Sequence, residues 1–227
     1  MIWQSKLKYQ KSANQWCYNK KAMPKKEEAV KNHNHSHHLK YKICVSGAAE
    51  TGHCAPDALE KAEIVGREIA KRGLVLVTGA TTGIPYWAAK GAKAEGGIVI
   101  GISPAVSKLQ HIKTYHLPVD YHDLIIYTGF EYSGRNLLLT RSADAAVFLC
   151  GRIGTLNEFT DAFEDQKPQG VLLGTGGTTD MLPQIIEEAH RGPGRVIFSK
   201  EPADLIDKLV DLIESEENKN GIKGRII

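Results

Sequence analysis

From residue 41 onward, short apolar runs alternate with longer stretches in which apolar residues recur at helical spacing. The apolar runs predict strands at Tyr41–Ser46, Leu74–Thr78, Ile98–Ile102, Asp123–Tyr127, Ala145–Leu149, Gly170–Leu173 and Val196–Phe198. The amphipathic stretches predict helices at Pro56–Arg72, Ile84–Glu95, Ser133–Ser142, Ile153–Glu164, Thr179–His190 and Pro202–Glu216, with a long loop over 103–122. Continuously apolar strands are typical of a parallel sheet that is covered on both faces. The pattern therefore predicts an α/β fold, doubly wound, with a mainly parallel sheet flanked by helices on both faces.

The first forty residues have a different character from the rest of the chain. They lack helical or strand periodicity, carry nine lysines against two glutamates, and end in a cluster of four histidines (His33, His35, His37 and His38). We predict a basic, disordered arm at 1–40, a single domain at 41–216 and a tail at 217–227. Imidazoles can bind a transition metal, but a solvated polar tail is the more common reading of such a cluster.

Composition limits the classes of partner. A hydrophobic content of 42% is enough for a full core, and no apolar run approaches the roughly 20 residues of a membrane span. Because the net charge of +3 includes the basic arm, the remaining domain is mildly acidic, which disfavours nucleic acid as its partner. The four cysteines are scattered without a CxxC. That spacing predicts reduced thiols in a cytoplasmic protein, with neither a disulfide framework nor a zinc site.

The run from Gly151 to Phe159 is the most informative motif in the chain. It follows the predicted strand Ala145–Leu149 and opens a predicted helix. Backbone N–H groups of a glycine loop and of a helix N-terminus attract an anion, so we expect Gly151, Arg152, Gly154 and Thr155 to hold a phosphate. Glu158 lies one turn into the helix, where its carboxylate reaches a sugar next to that phosphate better than the phosphate itself.

Further loops should meet the Gly151 loop, because the carboxyl ends of parallel strands share one edge of the sheet. Candidate ligand-binding residues there are Ser46, Gly47, Gly79 and Gly83, and aromatic candidates are Tyr127, Phe130 and Tyr132. Arg135, near the start of its predicted helix, should face the same pocket as Glu158. Cys150 also lies at this edge, but its motif contains no histidine, which argues against a catalytic thiol.

These motifs together resemble the Lonely Guy (LOG) family, whose members carry an Arg-Lys pair, a strand, and then Pro-Gly-Gly-x-Gly-Thr-x-x-Glu. This chain has Arg135-Asn136, the strand up to Leu149, and Cys150-Gly151-Arg152-Ile153-Gly154-Thr155-Leu156-Asn157-Glu158. Further segments are similar to the family at Gly79–Gly83, Ala88–Ala92 and Ile100–Pro104. The likeness therefore covers roughly residues 42–214. The resemblance implies a Rossmann-like fold of the LOG type.

The resemblance also implies an activity. LOG enzymes hydrolyse the N-glycosidic bond of nucleoside 5′-monophosphates, with Arg135 and Glu158 as the implied catalytic pair here and no cofactor or metal. Cys150, Arg152 and Asn136 depart from the family motif. The Arg-Asn pair, with Gly83-Ile84-Pro85, is closer to a branch that includes molybdenum-cofactor carrier proteins.

Three functions therefore remain open at this stage. The first is a phosphoribohydrolase acting on a nucleoside monophosphate. The second is a non-catalytic carrier or sensor of another phosphorylated heterocycle, and the third is a DNA-associated module that uses the basic arm. LOG relatives are dimers or larger, so we expect a homodimer. Lysine decarboxylation, a label often given to this family, is not expected, because it typically requires a pyridoxal cofactor in a larger fold.

Overall fold

The computed structural model describes residues 39–219, and within them seven strands alternate with seven α-helices. The strands are β1 (Lys42–Gly47), β2 (Val75–Thr78), β3 (Ile98–Ser103), β4 (Leu124–Tyr127), β5 (Ala145–Leu149), β6 (Gln169–Leu172) and β7 (Val196–Ser199). The helices are α1 (Ala58–Lys71), α2 (Ile84–Ala94), α3 (Lys108–Lys113), α4 (Glu131–Ser142), α5 (Ile153–Glu164), α6 (Leu182–Glu188) and α7 (Pro202–Lys219). A 3₁₀ turn, Thr178–Met181, precedes α6.

The strands form one sheet in the order β4-β3-β2-β1-β5-β6-β7, and every neighbouring pair is parallel. The chain runs outward from β1 to β4 along one half of the sheet and then returns to build the other half from β5. The direction of winding therefore reverses between β1 and β5. Such a topological switch point leaves a crevice at the carboxyl ends of the two strands, where open α/β sheets bind their ligands.

The core lies in two layers, one on each face of the sheet. Ile43 and Val45 of β1 enter the layer formed with α1, α2 and α7. Cys44, between them, points to the opposite layer, which is formed with α4, α5 and α6. Side chains along a strand alternate between faces, so a strand buried on both sides must be apolar throughout. This explains the unbroken apolar runs in the sequence.

The fold class predicted from the sequence is confirmed, and the bounds of β5 and α5 are those predicted. Two predictions on local structure were wrong. The supposed loop 103–122 contains α3, which begins after Ser107, where the serine hydroxyl accepts a hydrogen bond from the Gln110 backbone. The predicted helix Thr179–His190 begins instead as the 3₁₀ turn and ends at Glu188. Segments this short carry too few residues for their periodicity to show.

The prediction of unpaired thiols was also wrong, because Cys54 and Cys150 form a disulfide across 96 residues of sequence. Cys54 lies in the loop after β1 and Cys150 follows β5. These strands are neighbours in the sheet, so topology brings the two cysteines together where sequence spacing gave no sign of it. Cys44 is free and buried.

No helix in the described range 39–219 is long and apolar enough to cross a membrane. The predicted basic arm and its histidines lie outside the described residues, apart from Leu39 and Lys40, and so does most of the predicted tail.

Candidate functional site

A cavity of about 920 Å³ opens at the carboxyl ends of β1 and β5, at the switch point of the sheet. Its walls come from the loops after β1, β2, β5 and β6 and from the first turns of α4 and α5. The residues that line it include Ser46, Gly47, His53, Gly79, Tyr132, Arg135, Asn136, Gly151, Arg152, Gly154, Thr155, Glu158 and Thr178.

The floor of the cavity is the glycine loop that leads from β5 into α5. Gly151 cannot carry a side chain, since a Cβ there would lie 2.6 Å from Thr178 Oγ1 and 2.7 Å from Thr155 Cγ2. A Cβ at Gly154 would meet open space, so this part of the helix turn is open to a bound group. Arg152, the N-cap of α5, makes no capping hydrogen bond with its side chain. The first N–H groups of a helix have no partner within it, and here the residues that carry them, Ile153, Gly154 and Thr155, line the cavity.

Glu158 is buried beside this loop, with only 6% of its surface exposed. The Ser46 hydroxyl donates a hydrogen bond to Oε2, and Arg135 Nη1 lies 3.4 Å from Oε1. Ser46 belongs to β1, Arg135 to α4 and Glu158 to α5, so the cluster depends on the tertiary fold. Each oxygen of the carboxylate is therefore oriented by a different element.

Burial is the dominant influence on the acidity of Glu158 and raises the pKa of its carboxyl above the ordinary range. The positive charge of Arg135 and the hydrogen bond from Ser46 oppose this effect, and the charge of Asp161 adds a smaller upward contribution to the pKa. A carboxyl group whose pKa is raised in this way can gain or lose a proton closer to neutral pH, which suits acid–base chemistry.

Arg135 is buried to the same extent as Glu158, with 6% of its surface exposed. Its guanidinium lies close to Gly79, where an added Cβ would come within 2.0 Å of Nη1. Among the described residues, its buried Nε has no hydrogen-bond partner. A buried guanidinium N–H without a partner costs free energy. Arg135 lines the cavity, so its positive charge favours an anionic group there.

Asn136, next to Arg135, completes the surroundings of Glu158. In the amide orientation that suits its neighbours, its nitrogen donates to Glu158 Oε1 at 2.9 Å and to the Tyr132 carbonyl at 2.9 Å. The amide thus takes a direct place beside the carboxylate at the position where the LOG motif has lysine. It does so without adding a second positive charge.

The structure brings together most of the residues singled out in the sequence. Nine of the ten predicted site residues line the cavity: Ser46, Gly47, Gly79, Arg135, Gly151, Arg152, Gly154, Thr155 and Glu158. Gly83 does not line it; a Cβ there would lie 2.2 Å from the Ala48 carbonyl oxygen, and the residue has a φ of +69°. Its part is to let the β1 and β2 loops approach each other.

The rim of the cavity shows two further differences from expectation. The side chain of Arg152 is half exposed and pairs with Glu50 at 2.6 Å. Of the three aromatic candidates, Tyr132 lines the cavity, whereas Tyr127 and Phe130 do not.

Sequence reasoning missed several residues of the site. Asn136 was noted only as a departure from the family pattern. His53 lines the cavity and places Nε2 3.7 Å from Cys150 Sγ, although no motif links the two residues. Thr178 comes from the loop after β6, which sequence reasoning did not place at this edge. Only the strand order, in which β6 lies next to β5, could have indicated it.

The fold and the site define this chain as a Rossmann-like α/β protein of the LOG-like superfamily. Residues 40–206 match the SLOG cluster4 family. The chain belongs to that family.

Comparison with individual proteins gives the same picture. An uncharacterized protein of Archaeoglobus fulgidus is 32% identical over 126 residues, which cover 56% of this chain and 78% of that protein. The molybdenum cofactor binding protein of Rippkaea orientalis has a similar structure, with 31% identity, a TM-score of 0.64, and coverage of 77% of this chain and 98% of that one. The Moco carrier protein of Chlamydomonas reinhardtii is similar at 28% identity, with a TM-score of 0.64 and coverage of 78% and 99%.

Proposed function

We propose that the cavity binds a phosphorylated heterocyclic ligand and that the protein hydrolyses the N-glycosidic bond of a nucleoside 5′-monophosphate. The products are the free base and ribose 5-phosphate. The observation that carries the proposal is the buried Glu158–Arg135 pair, whose carboxylate accepts a hydrogen bond from Ser46 and which lines the same cavity as the glycine loop at the switch point. A binding site alone needs no carboxylate buried beside the ligand.

The phosphate is assigned to the loop Gly151–Thr155. The N-terminus of α5 supplies free N–H groups and the positive end of the helix dipole. Gly154 leaves open space beside the backbone, and Arg135 adds a positive charge to the lining of the same cavity. This arrangement leaves the sugar beside Glu158, one turn further into the helix.

The chemistry follows from that placement. As the base departs, positive charge builds on the ribose ring. The Glu158 carboxylate stabilises that charge and accepts a proton from the water that attacks the anomeric carbon. Ser46 and Arg135 hold the carboxylate in one orientation and limit how far burial raises its pKa.

A second candidate is a carrier of a phosphorylated ligand that does not turn over. It is favoured by the two solved structures from Rippkaea orientalis and Chlamydomonas reinhardtii, both of which are named for binding or carrying the molybdenum cofactor. Both candidates share the phosphate site. They differ in whether Glu158 acts on a glycosidic bond or only shapes the cavity.

The deciding experiment incubates the purified full chain with AMP, GMP, CMP, UMP and isopentenyl-AMP, followed by chromatography for free base. We expect base release from at least one of them. Glu158→Gln and Arg135→Ala should abolish it. Two control variants on the same two helices should retain it. They are Glu164→Gln, whose exposed carboxylate pairs with Arg191, and Arg141→Ala, whose exposed guanidinium pairs with Asp165.

One outcome would overturn the hydrolase, and another would overturn only the role assigned to Glu158. Absence of base release from every nucleotide, with an active homologue run in parallel, would refute hydrolysis of these substrates. If a phosphorylated ligand then co-purifies in stoichiometric amount and remains intact, the carrier is the correct function. Full activity of Glu158→Gln would refute the assignment of the residue rather than the activity.

A further inference from the structure

Three potential metal ligands lie together outside the Glu158–Arg135 cluster, and one of them, His53, lines the cavity. They are His53, Cys54 and Cys150, and their ligating atoms all lie within 4.8 Å of one another. His53 Nε2 is 3.7 Å from Cys150 Sγ. Two ligands on a tetrahedral zinc ion, with Zn–S of about 2.3 Å and Zn–N of about 2.0 Å, lie roughly 3.5–3.8 Å apart.

The disulfide is not what holds these residues in place. The Cys150 backbone N–H donates to Thr175 Oγ1 at 2.9 Å. On the other side, Ala55 N donates to the Thr175 carbonyl at 3.0 Å, and Cys54 pairs with Gly176 in an isolated antiparallel bridge. Both cysteines thus contact the same short segment, Thr175–Gly176, through hydrogen bonds that do not involve their sulfur atoms.

We propose that His53, Cys54 and Cys150 bind a zinc-like divalent cation when the disulfide is reduced. Two thiolates and one imidazole are a ligand set that Zn²⁺ favours. His53 lines the cavity, and three protein ligands leave a fourth position for water, as in zinc sites that are not closed by the protein. Sequence spacing does not indicate this site, because Cys54 and Cys150 lie 96 residues apart.

Metal binding and the disulfide exclude each other, since both use the same two sulfur atoms. Binding of Zn²⁺ to the dithiol releases one proton from each thiol that is protonated beforehand. A disulfide oxidant such as oxidised glutathione accepts two electrons from the two thiolates as the Cys54–Cys150 bond forms and its own S–S bond breaks; it leaves as two glutathione thiolates, which take protons from water, and Zn²⁺ is released. The redox state of the pair therefore decides whether a cation lies beside the ligand cavity.

The test is a Co²⁺ titration of the full chain, reduced with a phosphine, desalted without air and followed by absorbance. We expect one equivalent of Co²⁺ to produce the ultraviolet charge-transfer band of thiolate–cobalt bonds, and Zn²⁺ to remove that band by competition. Cys54→Ser and Cys150→Ser should lose the band, and His53→Gln should need more Co²⁺ to produce it. Cys44→Ser and Cys17→Ser serve as matched controls and should retain it, and every variant keeps the four histidines of the arm.

The oxidised wild-type chain gives a second measurement that needs no variant to fold. We expect no charge-transfer band in it, and oxidised glutathione should release one Zn²⁺ per chain from the reduced zinc form into a chromogenic chelator. The proposal is overturned if the reduced wild type shows no band. It is equally overturned if folded Cys54→Ser and Cys150→Ser both keep the band, or if the oxidised chain binds Co²⁺ with the same band.

Discussion

Gly79→Ala displaces Arg135 without removing any of its atoms. The added Cβ would lie 2.0 Å from Nη1 and 2.8 Å from Cζ. Because ordinary contact begins near 3.4 Å, the guanidinium must move by about 1.4 Å or more. Nη1 is already 3.4 Å from Glu158 Oε1, so such a movement breaks the interaction.

The fold should tolerate the change, whereas the activity should not. The group that must give way is the end of a long side chain. We therefore expect the free energy of unfolding, measured with denaturant, to change by less than about 1 kcal/mol. A displacement of this size near the reacting groups costs about 100-fold in kcat/KM, which corresponds to about 2.7 kcal/mol of transition-state stabilisation. Gly52→Ala, where a Cβ meets nothing within 4 Å, is the matched control and should behave as wild type.

The pH dependence separates positioning from general damage. Arg135 lowers the pKa of Glu158, against the larger upward effect of burial. If Arg135 moves away, the pKa rises further, and the carboxylate form is lost at a higher pH. The acid limb of the kcat/KM profile should therefore shift to higher pH in Gly79→Ala. Wild-type kcat/KM with an unshifted profile, in a variant shown to carry the substitution, would refute the assigned role of Arg135.

Three further predictions follow from the same geometry. Glu158→Gln should reduce base release by about 10²- to 10⁴-fold while calorimetry shows ribose 5-phosphate still bound; unchanged release would contradict the role of the carboxylate. Ser46→Ala removes a hydrogen bond that lowers the pKa of Glu158, so the acid limb of the pH–rate profile should move to higher pH. Ser142→Ala, whose hydroxyl bonds the Leu139 carbonyl within α4, should leave the profile unchanged. Gly47→Ala would place a Cβ 2.5 Å from the Leu149 carbonyl oxygen and 2.4 Å from Ile84 Cγ2, so chemical denaturation should show a loss of about 1–3 kcal/mol.

Much of the fold was predictable because each central strand is buried on both faces. In β5, all five residues from Ala145 to Leu149 are buried, and an apolar run of this kind has few alternatives to a central parallel strand. The exposed edge is different. In β4 the burial alternates, with Leu124 and Ile126 exposed. A short edge strand of this kind is harder to bound from sequence, although its position was found to within one residue.

The Arg135–Glu158 pair was predictable for a geometric reason. Both residues lie in the first turns of helices that begin at the carboxyl edge of one parallel sheet, so sequence order and topology together direct them to one crevice. The disulfide was not predictable in this way. Cys54 follows β1 by several loop residues, and nothing in the sequence fixes the path of that loop. Its position depends on the bridge to Gly176, a contact between two irregular segments.

The structure explains why a cysteine can stand at position 150, where the LOG motif has proline. Cys150 has a φ of +27° and donates its backbone N–H to Thr175 Oγ1. Proline could do neither, because its ring fixes φ near −65° and removes the N–H group. The loop after β6 therefore holds this turn through the hydrogen bond between Cys150 and Thr175. Gly151, by contrast, remains glycine, and here any side chain would collide with Thr178 and Thr155. At Cys150 the motif has changed where a neighbouring loop holds the turn, whereas Gly151 has stayed where Thr178 and Thr155 pack closely against the backbone, within the loop to which we assign the phosphate.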